Sequence, residues 1–200
     1  MKISNHILIP NRNIKNIALI GFMGAGKTSV GYELSKGLDC PFFDIDHEIF
    51  KHTGLDIASI FERFGEDCFR QLETRFCKKA SQLQNIIIST GGGLVLRKKN
   101  ISALKTSCII FYLQVSADTI LERLKDDTSR PLLNSAWDTE TKMSKMQSLM
   151  KLRIPIYEDC ADYIINGNLS ISQVAENIKK NLNDIGGNFY EQIGSNTKNT

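Results

Sequence analysis

A glycine-rich stretch near the amino terminus has the residue types and spacing for binding phosphate. Residues 21–31 read GFMGAGKTSVG, and residues 21–28 match the pattern G-x-x-x-x-G-K-[ST] in full. Glycines let the backbone aim successive N–H groups at phosphate oxygens, and the N-terminus of a following helix adds partial positive charge. The stretch therefore predicts a cradle for a nucleoside triphosphate. Its candidate residues are Gly24, Ala25, Gly26, Lys27, Thr28 and Ser29.

Two side chains of this stretch can act on the phosphates. Lys27 can reach the β- and γ-phosphates, and the hydroxyl of Thr28 can ligate Mg²⁺. A glycine-rich turn with a solvated lysine is the alternative, but a strand pattern precedes the stretch and a helical pattern follows it. Gly31 falls inside that predicted helix, where we expect it to allow close packing on the sheet.

Two aspartates in the sequence FFDIDHE are candidates for metal binding and proton transfer. Asp44 and Asp46 lie at the carboxyl end of a predicted strand, and side chains two residues apart on a strand share one side. Ligands of parallel sheets bind beyond the carboxyl ends of the strands. One carboxylate could hold Mg²⁺, directly or through water, and the other could accept a hydroxyl proton. Solvated or helix-capping aspartates are the alternative.

A triple glycine and two arginines are candidates for binding a second substrate. Gly91, Gly92 and Gly93 follow a predicted strand, and they would let the backbone approach a ligand and offer N–H donors. A plain turn is the alternative. Arg70 and Arg153 lie on predicted helices, and their guanidinium groups could bind a carboxylate through paired hydrogen bonds. Each arginine taken alone would more often be a surface residue.

A parallel sheet would bring these residues together. Apolar runs predict strands at residues 17–20, 41–45, 85–90, 107–115 and 162–165. Helical patterns occupy residues 27–38, 48–52, 57–64, from about 67, around 101, 117–125, 145–152 and 171–183. Ser170 and Gln173 form a capping box at the start of the last helix. Alternation of continuous apolar strands with helices predicts an α/β fold, a three-layer α/β/α arrangement around a five-stranded parallel sheet.

One long polar segment, residues 126–144, fits neither a strand nor a helix. It contains Arg130, Pro131 and the only tryptophan, Trp137. Loops of this length are usually functional lids or disordered segments, and we consider a lid here without excluding disorder. Residues 184–200 are polar and glycine-rich, which predicts a disordered tail. Residues 1–183 would then form a single domain.

The composition argues against several classes of protein. The 200 residues suffice for one sizeable core, and 42% hydrophobic with 24% charged residues is ordinary for a globular domain. A net charge of +3 is too small to indicate a nucleic-acid partner, and no apolar run is long enough to span a membrane. The first residues lack the apolar region of a signal peptide. We therefore expect a cytoplasmic protein. A monomer is a separate expectation, which the composition does not decide.

Taken together, these motifs resemble those of the shikimate kinase family. Six stretches occur in family order between about residues 16 and 182. They are GFMGAGKTSVG, FFDIDHEI, TGLDIASIFERFGEDCFRQLE, ISTGGGLVL, RPLL and LRIPIY. Many kinases share the glycine loop, so the combination is far more specific than the loop alone. The resemblance implies a P-loop kinase fold with a mobile lid. It also implies transfer of the ATP γ-phosphate to the 3-hydroxyl of shikimate, in the route to chorismate and aromatic amino acids.

The resemblance also implies roles in the acceptor site. Asp46 would hold the shikimate hydroxyls and accept the proton that the 3-hydroxyl loses. Arg70 and Arg153 would bind the shikimate carboxylate, and Gly92 would donate from its backbone.

Further roles follow from the resemblance for the nucleotide site. Lys27 would hold the transferring phosphate, and Arg130 would swing in from the lid toward the phosphates. Asp44 would contact Mg²⁺ through water beside Thr28. Arg123 would stack on adenine, although a second arginine found in some family members has no clear counterpart in INGNLSIS.

Two other functions remain open at the level of sequence. Another small-molecule P-loop kinase, similar to gluconate or nucleoside monophosphate kinases, would turn Arg70 and Arg153 toward a different anion. A non-catalytic nucleotide-binding relative is expected to lose Lys27, Asp46 or Arg70, and all three are present here.

Overall fold

The strands of the chain form one parallel sheet. The computed structural model describes residues 12–125 and 139–184. Within these residues the strands are β1 (Asn16–Ile20), β2 (Phe42–Asp44), β3 (Ile87–Ser89), β4 (Cys108–Gln114) and β5 (Tyr163–Asn166). They lie in the order β2-β3-β1-β4-β5, and every neighbouring pair is parallel. The predicted five-stranded parallel sheet is confirmed.

Helices cover the sheet. They are α1 (Lys27–Leu38), α2 (Ile45–Thr53), α3 (Ile57–Gln82), α4 (Lys98–Ser107), α5 (Ala117–Leu124), α6 (Thr139–Cys160) and α7 (Ile171–Asp184), with a 3₁₀ turn at Leu94–Leu96. All of β1 and nearly all of β4 are buried, as expected for parallel strands that are covered on both faces. The predicted α/β class is confirmed. No helix of the described residues is long and apolar enough to cross a membrane.

The strand order places the three candidate motifs side by side. β3 lies between β1 and β2, so these three strands are neighbours that end at the same edge of the sheet. The glycine loop follows β1, Asp44 ends β2, and the triple glycine follows β3. Ligands of such sheets bind at this edge, beyond the carboxyl ends of the strands.

The predicted strand at residues 41–45 is too long at its carboxyl end. Asp44 ends β2 and is also the N-cap of α2, because its carboxylate accepts a hydrogen bond from the His47 backbone N–H at 3.1 Å. Asp46 therefore lies in the first helical turn, so the alternation expected for a strand does not apply to the two aspartates. Helix α2 also begins earlier than the predicted helix at residues 48–52.

The two helices predicted at residues 57–64 and from about 67 form one element, α3, with a break between them. Gly65 has φ 79° and ψ 168° inside α3, a conformation that is open to glycine and strained for other residues. The break agrees with the gap between the two predicted helices. The part of α3 after Gly65 carries Arg70 and Glu73.

Helix α6 is longer than the predicted helix at residues 145–152. It starts at Thr139 and continues through Pro155 to Cys160. The last residues of the predicted lid, 139–144, are therefore helical. The rest of the lid, with Arg130 and Trp137, lies outside the described residues.

The last helix also agrees with its predicted start. Ser170 and Gln173 form the predicted capping box, since the Ser170 N–H donates to Gln173 Oε1 at 3.1 Å and the Gln173 N–H donates to Ser170 Oγ at 3.3 Å. The helix continues to Asp184, the first residue of the predicted tail, and the rest of that tail is not described.

Candidate active site

Two adjoining cavities open at the carboxyl edge of the sheet, with volumes of about 680 and 610 Å³. The first, here called the acceptor cavity, is lined by both aspartates, both arginines and the triple glycine. The second, here called the nucleotide cavity, is lined by the glycine loop and by residues around the start of α7. Residues shared by both linings are Met23, Thr28, Asp46 and Gly92. The cavities therefore meet at Asp46.

The glycine loop has the backbone shape of a phosphate cradle. Gly24 and Gly26 have φ of 73° and 88°, values that glycine adopts without strain. Gly26 is the N-cap of α1 and no side chain caps it, so the N-terminus of α1 faces the nucleotide cavity with its backbone donors. Lys27 is buried and its Nζ donates to the carbonyl oxygens of Gly21 at 3.0 Å and Phe22 at 2.8 Å. These contacts hold the lysine against the loop.

Thr28 and Asp44 bring two oxygen ligands together. The Thr28 hydroxyl donates to Asp44 Oδ2 at 2.7 Å, while Oδ1 of the same carboxylate accepts the cap hydrogen bond from α2. Hydroxyl and carboxylate oxygens suit Mg²⁺, which is usually bound by few protein groups together with waters and substrate phosphates. Among the described residues no group of three or more His, Cys, Asp or Glu side chains could hold a metal by itself. The donor set fits a Mg²⁺ ion that shares its ligands with a nucleotide.

Arg70 is held by carboxylates on its own helix. Its Nη1 donates to Glu73 Oε2 at 2.6 Å, and its Nη2 donates to Glu66 Oε1 at 2.9 Å. The guanidinium carbon also lies 5.3 Å from the centre of the Phe69 ring. Arg70 and Glu73 are both buried, and both line the acceptor cavity.

Glu73 has a perturbed carboxyl group in this site. Burial raises the pKa of Glu73 to about 7, while the charge and hydrogen bond of Arg70 oppose the rise and the charge of Asp46 adds to it. A Cβ at Gly91 would lie 2.5 Å from Glu73 Oε1 and 2.9 Å from Asp46 Oδ1. Gly91 therefore has no room for a side chain, because both carboxylates lie where its Cβ would be in contact.

The other two glycines of the triple glycine also lie in close contacts. A Cβ at Gly92 would lie 3.0 Å from the Met23 backbone nitrogen, and one at Gly93 would lie 2.4 Å from Arg70 Nη1. Gly92 thus packs on the loop after β1, and Gly93 packs on the candidate arginine of α3. All three glycines line the acceptor cavity.

Arg153 reaches the acceptor cavity from α6. It is buried, and its guanidinium carbon lies 5.6 Å from the centre of the Phe22 ring. The tertiary structure therefore brings the two candidate arginines, Arg70 from α3 and Arg153 from α6, into one cavity. Two buried cations that line one cavity are an arrangement that suits an anionic group.

Arg123 lies in the nucleotide cavity and links two loops. Its Nη2 donates to the Gly167 carbonyl at 2.8 Å, and its Nη1 lies 3.4 Å from the carbonyl oxygens of both Gly24 and Ala25. Beyond it the cavity is lined by apolar side chains, namely Leu124, Leu169, Ile171 and Val174. A planar base could lie between the guanidinium and this apolar wall.

Two residues of the site were not among the candidates from the sequence. The R-x-x-E spacing puts Glu73 one helical turn after Arg70, but the spacing alone gave this acid no role in the site. Tyr157 stands one turn after Arg153 and its hydroxyl donates to the Gly92 carbonyl, a contact between segments 65 residues apart. Nothing in the spacing indicates that contact.

Comparisons with known proteins agree on one family. A family model described as shikimate kinase matches residues 23–183. A protein named shikimate kinase from Thermodesulfovibrio yellowstonii is 43% identical over 167 residues, which cover 84% of this chain and 94% of that protein. Another from Caldicellulosiruptor bescii is 41% identical over 162 residues, covering 81% and 91%.

A solved structure gives the same result. The shikimate kinase from Acinetobacter baumannii in complex with shikimate superposes with a TM-score of 0.80 at 36% sequence identity. The match covers 86% of this chain and 95% of that one.

Proposed function

Because the chain belongs to the shikimate kinase family, we propose that it transfers the γ-phosphate of ATP to the 3-hydroxyl of shikimate, giving shikimate 3-phosphate and ADP. The observation that carries this proposal is the meeting of two cavities at Asp46, with the glycine loop in one and two buried arginines in the other. Donor and acceptor would have separate sites that join at one carboxylate.

The acceptor cavity would bind shikimate through its single carboxylate and its hydroxyls. Arg70 and Arg153 would bind the carboxylate, because charge-assisted hydrogen bonds are strongest where water is largely excluded. The triple glycine would contribute backbone N–H donors from the segment after β3. Asp46 would hold the hydroxyls and accept the proton that the 3-hydroxyl loses as it attacks phosphorus.

The nucleotide cavity would hold ATP with its γ-phosphate toward Asp46. Residues 24–29 would bind the phosphates through backbone N–H groups, Lys27 would hold the transferring group, and Arg123 would lie on adenine. Phosphoryl transfer passes through a loose transition state, so positioning and positive charge contribute more than covalent catalysis.

Magnesium would bind beside Thr28, with Asp44 contacting it through water. The 2.7 Å contact between these two side chains supports this pairing. When bound, the ion would neutralise charge on the β- and γ-phosphates.

Arg130 would approach the phosphates from the lid, whose closure would exclude water and limit hydrolysis of ATP. The role of Arg130 remains a prediction from the sequence. The same holds for the single kinase domain over residues 1–183, the monomeric state and the cytoplasmic location.

A coupled assay of ADP release tests the proposed acceptor. The protein with ATP and Mg²⁺ is given shikimate, gluconate and nucleoside monophosphates in turn, with Asp46→Asn as the inactive control. We expect shikimate to give the highest kcat/KM by a wide margin. Equal or greater kcat/KM on gluconate or a monophosphate would assign the chain to another kinase activity. ATP binding without turnover on any acceptor would support the non-catalytic alternative.

A further inference from the structure

Tyr157 lies behind the acceptor cavity rather than in its wall. The residue is 1% exposed, and its ring stacks on Tyr112 of β4 with 5.0 Å between ring centres. Tyr157 stands on α6, one helical turn after Arg153, and its hydroxyl donates a hydrogen bond to the carbonyl oxygen of Gly92. It is not among the residues that line either cavity, so any effect on a substrate would pass through its neighbours.

The hydroxyl of Tyr157 completes the set of bonds that orient the triple glycine. The Gly91 carbonyl accepts from the Leu94 N–H at 3.2 Å, and the Gly93 carbonyl accepts from the Leu96 N–H at 3.1 Å. The carbonyl between them accepts from Tyr157 instead. Two of the three peptide units are therefore fixed by the backbone of the 3₁₀ turn, and the middle one is fixed by a side chain from α6.

The middle bond also fixes an N–H group of the acceptor cavity. The carbonyl of Gly92 and the N–H of Gly93 belong to one peptide unit, and in a planar trans unit the two point in opposite directions. No cis peptide occurs among the described residues. Holding the Gly92 carbonyl against Tyr157 therefore aims the Gly93 N–H away from α6, and Gly93 lines the acceptor cavity.

The Tyr157 hydroxyl keeps its proton for this bond. Burial raises the pKa of Tyr157, and the charge of the Arg153 guanidinium opposes the rise only in part. The phenol therefore stays protonated at neutral pH and can donate to the Gly92 carbonyl.

We propose that Tyr157 is a positioning residue for the acceptor: its hydroxyl holds the Gly92 carbonyl, and with it the Gly93 N–H, in the arrangement that binds shikimate. The inference rests on the proposed function, because it takes shikimate as the ligand of that cavity. Gly93 lines the acceptor cavity and not the nucleotide cavity, so loss of the hydroxyl should weaken shikimate binding much more than ATP binding.

The test compares Tyr157→Phe with Tyr112→Phe. Each substitution removes one hydroxyl from the same stacked and buried pair, and only the first removes the bond to Gly92. We expect Tyr157→Phe to raise the shikimate KM about tenfold, the size typical of a buried group left without its partner, with the ATP KM within about twofold of the parent. Tyr112→Phe should leave both values near the parent.

Thermal unfolding separates positioning from general loosening of the fold. The unfolding midpoint is measured for the parent and both variants, and shikimate binding is then measured by calorimetry well below these midpoints. Shikimate binding can then be measured on folded protein even if Tyr157→Phe lowers the midpoint of thermal unfolding.

Two outcomes would overturn the positioning role. These are a shikimate KM that changes no more than in Tyr112→Phe, and an equal rise in both KM values. A parent protein without turnover on shikimate would overturn the proposed function as well. Turnover by the parent with an unaffected Tyr157→Phe variant would overturn the positioning role alone.

Discussion

Arg70 and Glu73 form a buried ion pair on one face of α3, with 2.6 Å between the arginine Nη1 and the glutamate Oε2. The glutamate side chain is 0% exposed, so its charge has little solvation and depends on the arginine. The arginine also lines the acceptor cavity, where the proposed substrate carboxylate would meet it. Acceptor binding, the protonation of Glu73 and the stability of α3 are therefore coupled through one guanidinium.

Replacement of Arg70 should affect the acceptor and spare the nucleotide. We expect Arg70→Ala to raise the shikimate KM strongly or abolish turnover, since a lost charge-assisted pair is worth roughly 2–4 kcal/mol. ATP should still bind, as measured by calorimetry. Arg75→Ala, an exposed arginine on the same helix, is the matched control. An unchanged shikimate KM in Arg70→Ala would remove this residue from the site.

The raised pKa of Glu73 predicts a pH dependence of stability. With a pKa of about 7 when folded and an ordinary value of 4.5, folded Glu73 keeps a proton that the unfolded chain releases between these pH values. Its stabilising contribution is full below about pH 4.5 and is lost as the pH rises through about 7.

The measurement is urea unfolding of the parent and of Glu73→Gln, which cannot titrate, between about pH 5 and 8. Relative to the variant, the parent's free energy of unfolding should fall with rising pH, by up to about 1.4 kcal/mol per unit. Glu66→Gln should follow the parent, because the side chain of Glu66 is 62% exposed. A parent that gains stability relative to Glu73→Gln across this range would contradict the raised pKa.

Addition of one methyl group at Gly91 should disturb both carboxylates of the site. The new Cβ would lie within 3 Å of Glu73 Oε1 and Asp46 Oδ1, so Gly91→Ala must displace them. We expect a loss of kcat/KM for shikimate of at least about tenfold, since small displacements of reacting groups are costly. Gly37→Ala is the control, because its methyl group would meet only the flexible end of Lys179. Full activity of Gly91→Ala would show that neither carboxylate needs its present position.

The Thr28 hydroxyl should matter through magnesium. Thr28→Val keeps the shape of the side chain and removes the oxygen that contacts Asp44 at 2.7 Å. We expect the Mg²⁺ concentration for half-maximal activity to rise about tenfold or more, and Thr28→Ser, which retains a hydroxyl, to stay close to the parent. Activity is titrated with Mg²⁺ at fixed ATP. The same Mg²⁺ requirement in Thr28→Val and Thr28→Ser would exclude the hydroxyl as a ligand.

The lid prediction can be tested with the single tryptophan. Trp137 lies in the predicted lid, so its fluorescence should change when saturating ATP or ADP binds together with shikimate. The control is shikimate binding by Arg70→Ala under the same conditions, where the acceptor-dependent part of the change should be lost. Constant fluorescence with all ligands present would argue against a lid in this segment.

The sequence by itself determined most of the local structure. Strand positions, the glycine loop and the capping box of Ser170 and Gln173 follow from residue types and spacings within one element, and the structure agrees with them. The expected close packing at Gly31 is also confirmed, since a Cβ there would lie 2.4 Å from the Phe42 ring on β2. The prediction that Asp46 lies at the end of a strand was wrong, because Asp44 caps α2 and the strand ends earlier than the apolar pattern suggested.

Only the tertiary structure decided which residues share a cavity. Arg70 and Arg153 are on helices α3 and α6, and no spacing along the chain states that both enter the acceptor cavity. The bond from Tyr157 to Gly92 and the burial that raises the Glu73 pKa likewise depend on how α3, α6 and the sheet pack. The physical reason is that spacing along the chain records local hydrogen bonding and amphipathicity. Long-range contact and exclusion of water arise only when the packed elements close around the site.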